Sequence, residues 1–164
     1  MISSTYSNYC SYEKILQKST IIITDIMYIK IDTLTDEQAT QLYELYQHEW
    51  WTKGRILDDV HKMLINSDYI FGICKSHSQE LVAFARVVSD RTYRAIVYDV
   101  IVAADNRHQG LGSLLIEQIV THPEISQLEC IQLFCLPEMI PFYQKFGFAK
   151  PETSLLVRQR VEKS

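Results

Sequence analysis

Apolar positions along this chain switch repeatedly between a period near two and a period near 3.6, and the switches predict the order of its elements. Ile21 to Ile31 is apolar at most positions and reads as a first strand, interrupted by Thr24, Asp25 and Lys30. Thr35 and Gln38 then have the spacing of a capping box, and Ala39, Leu42, Tyr43, Leu45 and Tyr46 recur at helical intervals as far as about Glu49. Gly54 breaks that pattern, and Val60, Met63 and Leu64 give a second short helix, Leu57 to Ile65, its apolar side. Tyr69 to Cys74 and Leu81 to Val88 read as strands joined by the polar turn Ser76-His77-Ser78-Gln79.

A third strand of this group, Ala95 to Val102, is apolar on both sides except at Asp99, which suits a central strand covered by helices. The helix that follows spans Leu111 to Thr121, packs through Leu111, Leu114, Leu115, Ile119 and Val120, and ends before Pro123. Leu128 to Cys135 is a further strand. The next helix starts near Pro137 or at Pro141 and stops at Gly147. Leu155 to Arg160 predicts a last strand. Residues 1–20 show no clear period; they read as an extension or as a short helix around Tyr12 to Gln17. The resulting fold class is α/β, a single mixed twisted sheet with helices on both faces. The crossover helix makes the strands from Ala95 and from Leu128 parallel.

Composition narrows the picture only a little. At 164 residues with 47% apolar residues the chain suits one domain, divided here into an extension, 1–20, and a main domain, 21–164. A net charge of -4 argues against nucleic acid as a partner. No run is long and apolar enough for a membrane span, and the first twenty residues lack a signal core, so neither membrane nor secretion is expected. Cys10, Cys74, Cys130 and Cys135 form no Cys-x-x-Cys pair and have no histidine at metal-ligand spacing. That usage predicts no metal, no disulfide framework and a cytoplasmic, reducing location. A homodimer is compatible with the sequence, which fixes no oligomeric state.

Candidate chemistry concentrates where the strand ending Val100-Ile101-Val102-Ala103 runs through Ala104-Asp105-Asn106 into Arg107-His108-Gln109-Gly110-Leu111-Gly112. A turn opening a helix gathers free backbone N–H groups at the positive end of the helix dipole, which is a site for phosphate. Arg107 adds a cation, and Gly110 and Gly112 let the main chain approach a ligand without a Cβ. A dinucleotide fingerprint fits worse, because Leu115 stands where its third glycine belongs, and no Gly-Lys-Ser or Gly-Lys-Thr phosphate loop is present.

Arg107-His108-Gln109-Gly110-Leu111-Gly112 matches Arg/Gln-x-x-Gly-x-Gly/Ala, and with Phe142-Tyr143-Gln144-Lys145-Phe146-Gly147-Phe148 the chain resembles the GCN5-related N-acetyltransferase superfamily. The likeness runs from about Ile21 to Arg160. It implies an acyl-CoA N-acyltransferase-like fold, an acetyltransferase domain over 21–164, and acetyl-coenzyme A as the acyl donor. It further implies that the pantetheine arm lies along the main chain near Ile101, Val102 and Ala103. The diphosphate then rests on the amides from His108 through Gln109, Gly110, Leu111 and Gly112 to Ser113, and Tyr143 points to the thioester sulfur. Two positions depart from the pattern: Leu136 stands where many members have asparagine, and Ile96 where histone-acetylase-like members have a catalytic glutamate.

Direct attack of a neutral amine on the thioester needs a proton acceptor, an oxyanion donor and an acid for the leaving thiolate. A backbone N–H at or near Val102 suits the oxyanion, and the Tyr143 phenol, with its ordinary pKa ~10, suits the thiolate. Asp99 and Glu49 are the candidate bases. Cys135 lacks the paired histidine and carboxylate of a nucleophilic relay. Acceptor selectivity is expected from Glu49-Trp50-Trp51-Thr52-Lys53-Gly54-Arg55, with at least one tryptophan in the core, and from Tyr46, Tyr69 and Arg86. A small-molecule or peptide amine is the expected acceptor. Longer-chain acyl or O-acyl transfer, and a non-catalytic acyl-CoA-binding regulator, are the alternatives.

Overall fold

The computed structural model describes residues 20–23 and 26–158. Its six strands form one sheet in sequence order: β1 (Thr20–Ile23), β2 (Ile26–Ile31), β3 (Tyr69–Lys75), β4 (Leu81–Ser89), β5 (Arg94–Val102) and β6 (Cys130–Leu133). Neighbours are antiparallel from β1 to β5, and β5 and β6 are parallel, as the crossover between them requires. The run Ile21–Ile31, expected to be one strand, is two: β1 and β2 pair as a hairpin, Thr20 opposite Ile29 and Ile23 opposite Ile26.

Between β2 and β3 the chain makes α1 (Asp36–His48) and α2 (Leu57–Ile65). The Thr35 side chain accepts the Gln38 amide, and the Gln38 side chain accepts the Thr35 amide, so the capping box forms as its spacing predicts. These helices cover one face of the sheet, where Leu42, Tyr46 and Val60 meet Ile29, Cys74, Leu81, Phe84 and Ile101. On the other face α3 (Leu111–Val120) buries Leu111, Leu115, Ile116 and Ile119 against Phe71, Ile73, Ala83, Ala85 and Val97. Each such side chain removed from water is worth about 2 kcal/mol, so the two faces are independent sources of stability. Residues Pro137–Met139 form one tight 3₁₀ turn, and α4 (Ile140–Gln144) follows it, so both prolines stand near helix starts, where a missing N–H costs little.

Two features position a site. First, β5 and β6 pair only from Arg94 and Cys130 to Val97 and Leu133. Beyond that β5 continues to Val102 without β6, and the sheet opens into a cleft. Second, β4 and β5 lose register between Phe84 and Arg86: Ala85 alone stands against Asp99 and Val100. Asp99 occupies the left-handed region at this bulge, φ 57°. The extra residue exchanges the faces of β5, so that Ala95 and Val97 pack with α3 whereas Ile101 packs under α1 and α2.

At the other end of the chain the expectation fails. Residues 155–158 form no strand, and Leu155, Leu156 and Val157 are exposed without a partner strand to cover them. The remainder of that expected strand and the suggested helix around Tyr12 to Gln17 lie outside the described residues, as does Cys10. Among the described residues no helix is long and apolar enough to cross a membrane.

Candidate active site

The cleft at the β5–β6 divergence is a cavity of about 940 Å³. Its candidate donor wall comes from a single stretch of chain. Past β5, residues Ala104–Asn106 make one 3₁₀ turn, His108 and Gly110 take left-handed φ values of 63° and 81°, and Gly110 is the residue that starts α3. Among the described residues, none of the main-chain N–H groups from His108 to Ser113 has a hydrogen-bond acceptor. Consecutive amides at left-handed turns and a helix start make a concave cation without a charged side chain. A Cβ at Gly112 would sit 3.6 Å from Phe142 and 3.8 Å from Val102, in ordinary contact, so internal packing does not demand glycine there.

The turn is held from beneath by a relay that the sequence did not signal. Asn106, buried, donates from Nδ2 to the Tyr28 hydroxyl at 3.1 Å, and that hydroxyl donates to Gln109 Oε1 at 2.8 Å. Tyr28 belongs to β2, so only the assembled sheet brings it here. Gln109 is thereby turned away from the cavity and Ala103 is spent on β4, its N–H donating to the Val82 carbonyl at 2.8 Å. Peptide groups alternate along a strand, so the Val102 groups point to the opposite edge, into the cleft. The Val102 carbonyl there accepts Arg107 Nε at 3.1 Å.

The candidate acceptor wall gathers residues from two elements. The turn after α1 contributes Glu49, Trp50, Trp51 and Arg55, and β5 contributes Tyr98 and Asp99. Thr52, buried, fixes this turn by donating to the Tyr46 carbonyl at 2.7 Å. Neither tryptophan joins the core: Trp50 is 72% exposed and Trp51 38%, the latter packing edge-on to Tyr46. The turn carries both rings past the end of α1, where no second layer covers them.

Asp99 is bridged by two guanidiniums, Arg55 Nη2 at 3.0 Å and Arg86 Nε at 2.6 Å. Burial pushes its carboxyl up, but the hydrogen bonds and charges of Arg55 and Arg86 outweigh burial and hold it below the usual carboxylate range. Both carboxylate oxygens are therefore committed, one to each guanidinium. Arg55 in turn lies over the Tyr46 ring, 4.4 Å from its centroid, and Arg86 over Tyr98 at 4.7 Å. Burial, then the charge of Asp99, keeps Tyr46 protonated far beyond its ordinary range. Tyr69 does not line this cavity; its hydroxyl donates to Glu124, past the end of α3 in sequence.

Glu49 has a different partner. Its Oε1 accepts from Arg107 Nη2, so the candidate base and the candidate diphosphate cation form an ion pair across the cavity.

At the inner end, Tyr143 of α4 is 8% exposed and lies between Phe142 and Phe148. Burial first, then the neighbouring Cys135, pushes its phenol up to about 12, so it stays protonated at neutral pH. Cys135 lines the same cavity, and its thiol is also pushed up, by burial and then by Glu138, which works against a thiolate nucleophile. Among the described residues no cluster of metal-ligating side chains is present.

The acetyltransferase (GNAT) domain family matches residues 67–150, which contain β3 to α4. "Uncharacterized N-acetyltransferase ycf52" of Porphyra purpurea is 32% identical over 149 residues, 85% of this chain and 84% of that protein. This chain belongs to the GNAT acetyltransferase family. The solved structures most like this GNAT protein include one belonging to the same family from Xanthomonas campestris pv. campestris, with a TM-score of 0.68, 26% identity, and coverage of 80% of this chain and 93% of that one. Another, an acetyltransferase from Clostridium acetobutylicum solved with acetyl-CoA, shares the fold at a TM-score of 0.58 and 14% identity, over 81% of this chain and 96% of that one. The protein is therefore an acetyltransferase, of a family that uses acetyl-CoA, built on the mixed sheet expected from its sequence.

Proposed function

We propose that this protein transfers the acetyl group of acetyl-CoA to a primary amine by direct attack, with donor and acceptor bound together. The observation that carries the reading is the uninterrupted set of unpartnered amides from His108 to Ser113, opening onto the same cavity as Tyr143. In this reading those amides and Arg107 receive the diphosphate, and the Val102 main chain receives the pantetheine arm along the exposed edge of β5. Ile101 contributes its place in that strand. Ala103 and Gln109 support the turn rather than the ligand.

The amine enters past Trp50, Trp51 and Arg55 and meets the thioester from the α1–α2 side of the sheet. The Val102 N–H stabilises the oxygen that gains charge in the tetrahedral intermediate. Tyr143 donates its proton to the departing thiolate. A phenol pushed up to about 12 suits this task, because it is fully protonated at neutral pH and its hydroxyl has no acceptor among the described residues. Glu49, at the cavity wall and free of the double clamp that holds Asp99, draws off the ammonium proton through water.

The test is thiol release from acetyl-CoA across a panel of small amines and peptides, alongside octanoyl-CoA and alcohol acceptors. Thiol release that depends on an amine supports the proposal. Preference for the longer acyl chain or for an alcohol moves the assignment to those transferases. Tight CoA binding without turnover of any acceptor would sink it.

A further inference from the structure

The ion pair between Glu49 and Arg107 joins two groups that the reaction needs for different substrates. Glu49 ends α1 and opens the acceptor turn; Arg107 lies 58 residues later, in the turn that opens α3. The Arg107 guanidinium is held at two points, Nη2 on Glu49 and Nε on the Val102 carbonyl. The Glu49 side chain is 19% exposed and that of Arg107 47%. One guanidinium therefore spans the cavity from the acceptor turn to the edge of β5, next to the unpartnered amides of the donor wall.

A diphosphate arriving on those amides brings more negative charge than one carboxylate and competes for the same cation. It also stands beside Glu49 with like charge. Both effects act to separate Arg107 from Glu49. We propose that Arg107 is a positioning residue for Glu49: it holds the carboxylate while the donor wall is empty and surrenders it to solvent and amine once the diphosphate is seated. The base then becomes available only when the thioester is in place, which couples donor binding to acceptor chemistry through a single side chain. This inference rests on the acetyl-CoA reading above and adds an order of events to it.

Linkage makes the coupling measurable from the donor side alone. If Glu49 restrains Arg107, removing Glu49 must tighten CoA binding, and the gain must vanish where Arg107 is absent. The experiment is calorimetric titration of CoA into the full chain, its Glu49→Ala and Arg107→Ala variants, and the double variant. Glu49→Gln serves as a neutral second substitution that preserves the shape of the turn. Arg107→Ala alone is expected to weaken CoA binding about tenfold. Glu49→Ala is expected to tighten it by about two- to fivefold, the size of a partly exposed ion pair. The same Glu49 change in the Arg107→Ala background is expected to do nothing.

Unchanged or weaker CoA binding in both Glu49 variants overturns the proposal. A gain that persists without Arg107 overturns it as well, because that gain belongs to general repulsion between Glu49 and the diphosphate. Absence of CoA binding by the unaltered protein is a different result: it removes the acetyl-CoA reading itself.

Discussion

The two walls of the cavity are made by opposite means. The donor wall is main chain from one stretch of sequence, whose amides have no acceptor among the described residues and whose members, Gln109 apart, line the cavity. The acceptor wall is side chains from the turn after α1 and from β5, and its charged groups are already engaged: Asp99 with Arg55 and Arg86, Glu49 with Arg107. A wall of backbone tolerates side-chain exchange so long as the turn keeps its shape. A wall of paired charges responds to the loss of any one member, because the partner is left behind in a poorly solvated place. Recognition of a common donor suits the first design; selection of a particular acceptor suits the second.

Four experiments break or sharpen this contrast, from the largest effect to the smallest. Tyr143→Phe removes the proposed acid and leaves the ring packed between Phe142 and Phe148; kcat should fall about 10²-fold with CoA affinity nearly unchanged. A comparable loss in CoA affinity would place Tyr143 in the donor wall instead. Asp99→Ala leaves two guanidiniums without their shared carboxylate and should lower stability by about 3 kcal/mol, measured by urea unfolding. A change under about 0.5 kcal/mol would show that solvent already screens this network.

Gly112→Ala tests the main-chain wall. Internal packing accepts the added methyl, so melting temperature should hold, whereas CoA affinity should fall several-fold as the Cβ enters the ligand's path. Equal CoA affinity in that variant would separate Gly112 from the site.

The smallest effect is in pH dependence. The folded-state carboxyl of Asp99 lies below its unfolded value, so its contribution to stability is present above the ordinary carboxylate range and is lost as pH falls through the folded value. Acid unfolding followed by circular dichroism should therefore show a smaller loss between neutral and strongly acidic pH in Asp99→Ala than in the unaltered protein. Tyr143 has the opposite sign. Its folded pKa is raised to about 12, so its contribution is whole below pH ~10 and declines as pH rises from there toward 12.

Much of the fold was legible in the pattern of apolar residues because its elements carry local signals. The capping box at Thr35 and Gln38, the apolar side of α2 and the helix that begins at Leu111 each declare themselves within a few residues. The hairpin of β1 and β2 did not, because two short apolar runs separated in sequence only by Thr24 and Asp25 read as one longer run. The strand expected over Leu155 to Arg160 shows the converse. Residues 155–158 include Leu155, Leu156 and Val157, yet a strand needs a partner edge, and none among the described residues pairs with them.

The same division runs through the site. The sequence alone located the turn that opens α3, since Arg107-His108-Gln109-Gly110-Leu111-Gly112 is contiguous and its conformation is set locally by Gly110 and the start of the helix. It also marked Asp99, Glu49 and Tyr143 as unusual, but not what each touches. Only the tertiary structure decided that Asp99 is clamped by two arginines, that Glu49 meets Arg107, and that Tyr28 supports the turn from 78 residues away. The reason is physical. A turn's conformation depends on neighbours along the chain, whereas a charge takes its role from whichever groups the packing of sheet and helices brings within a few ångströms.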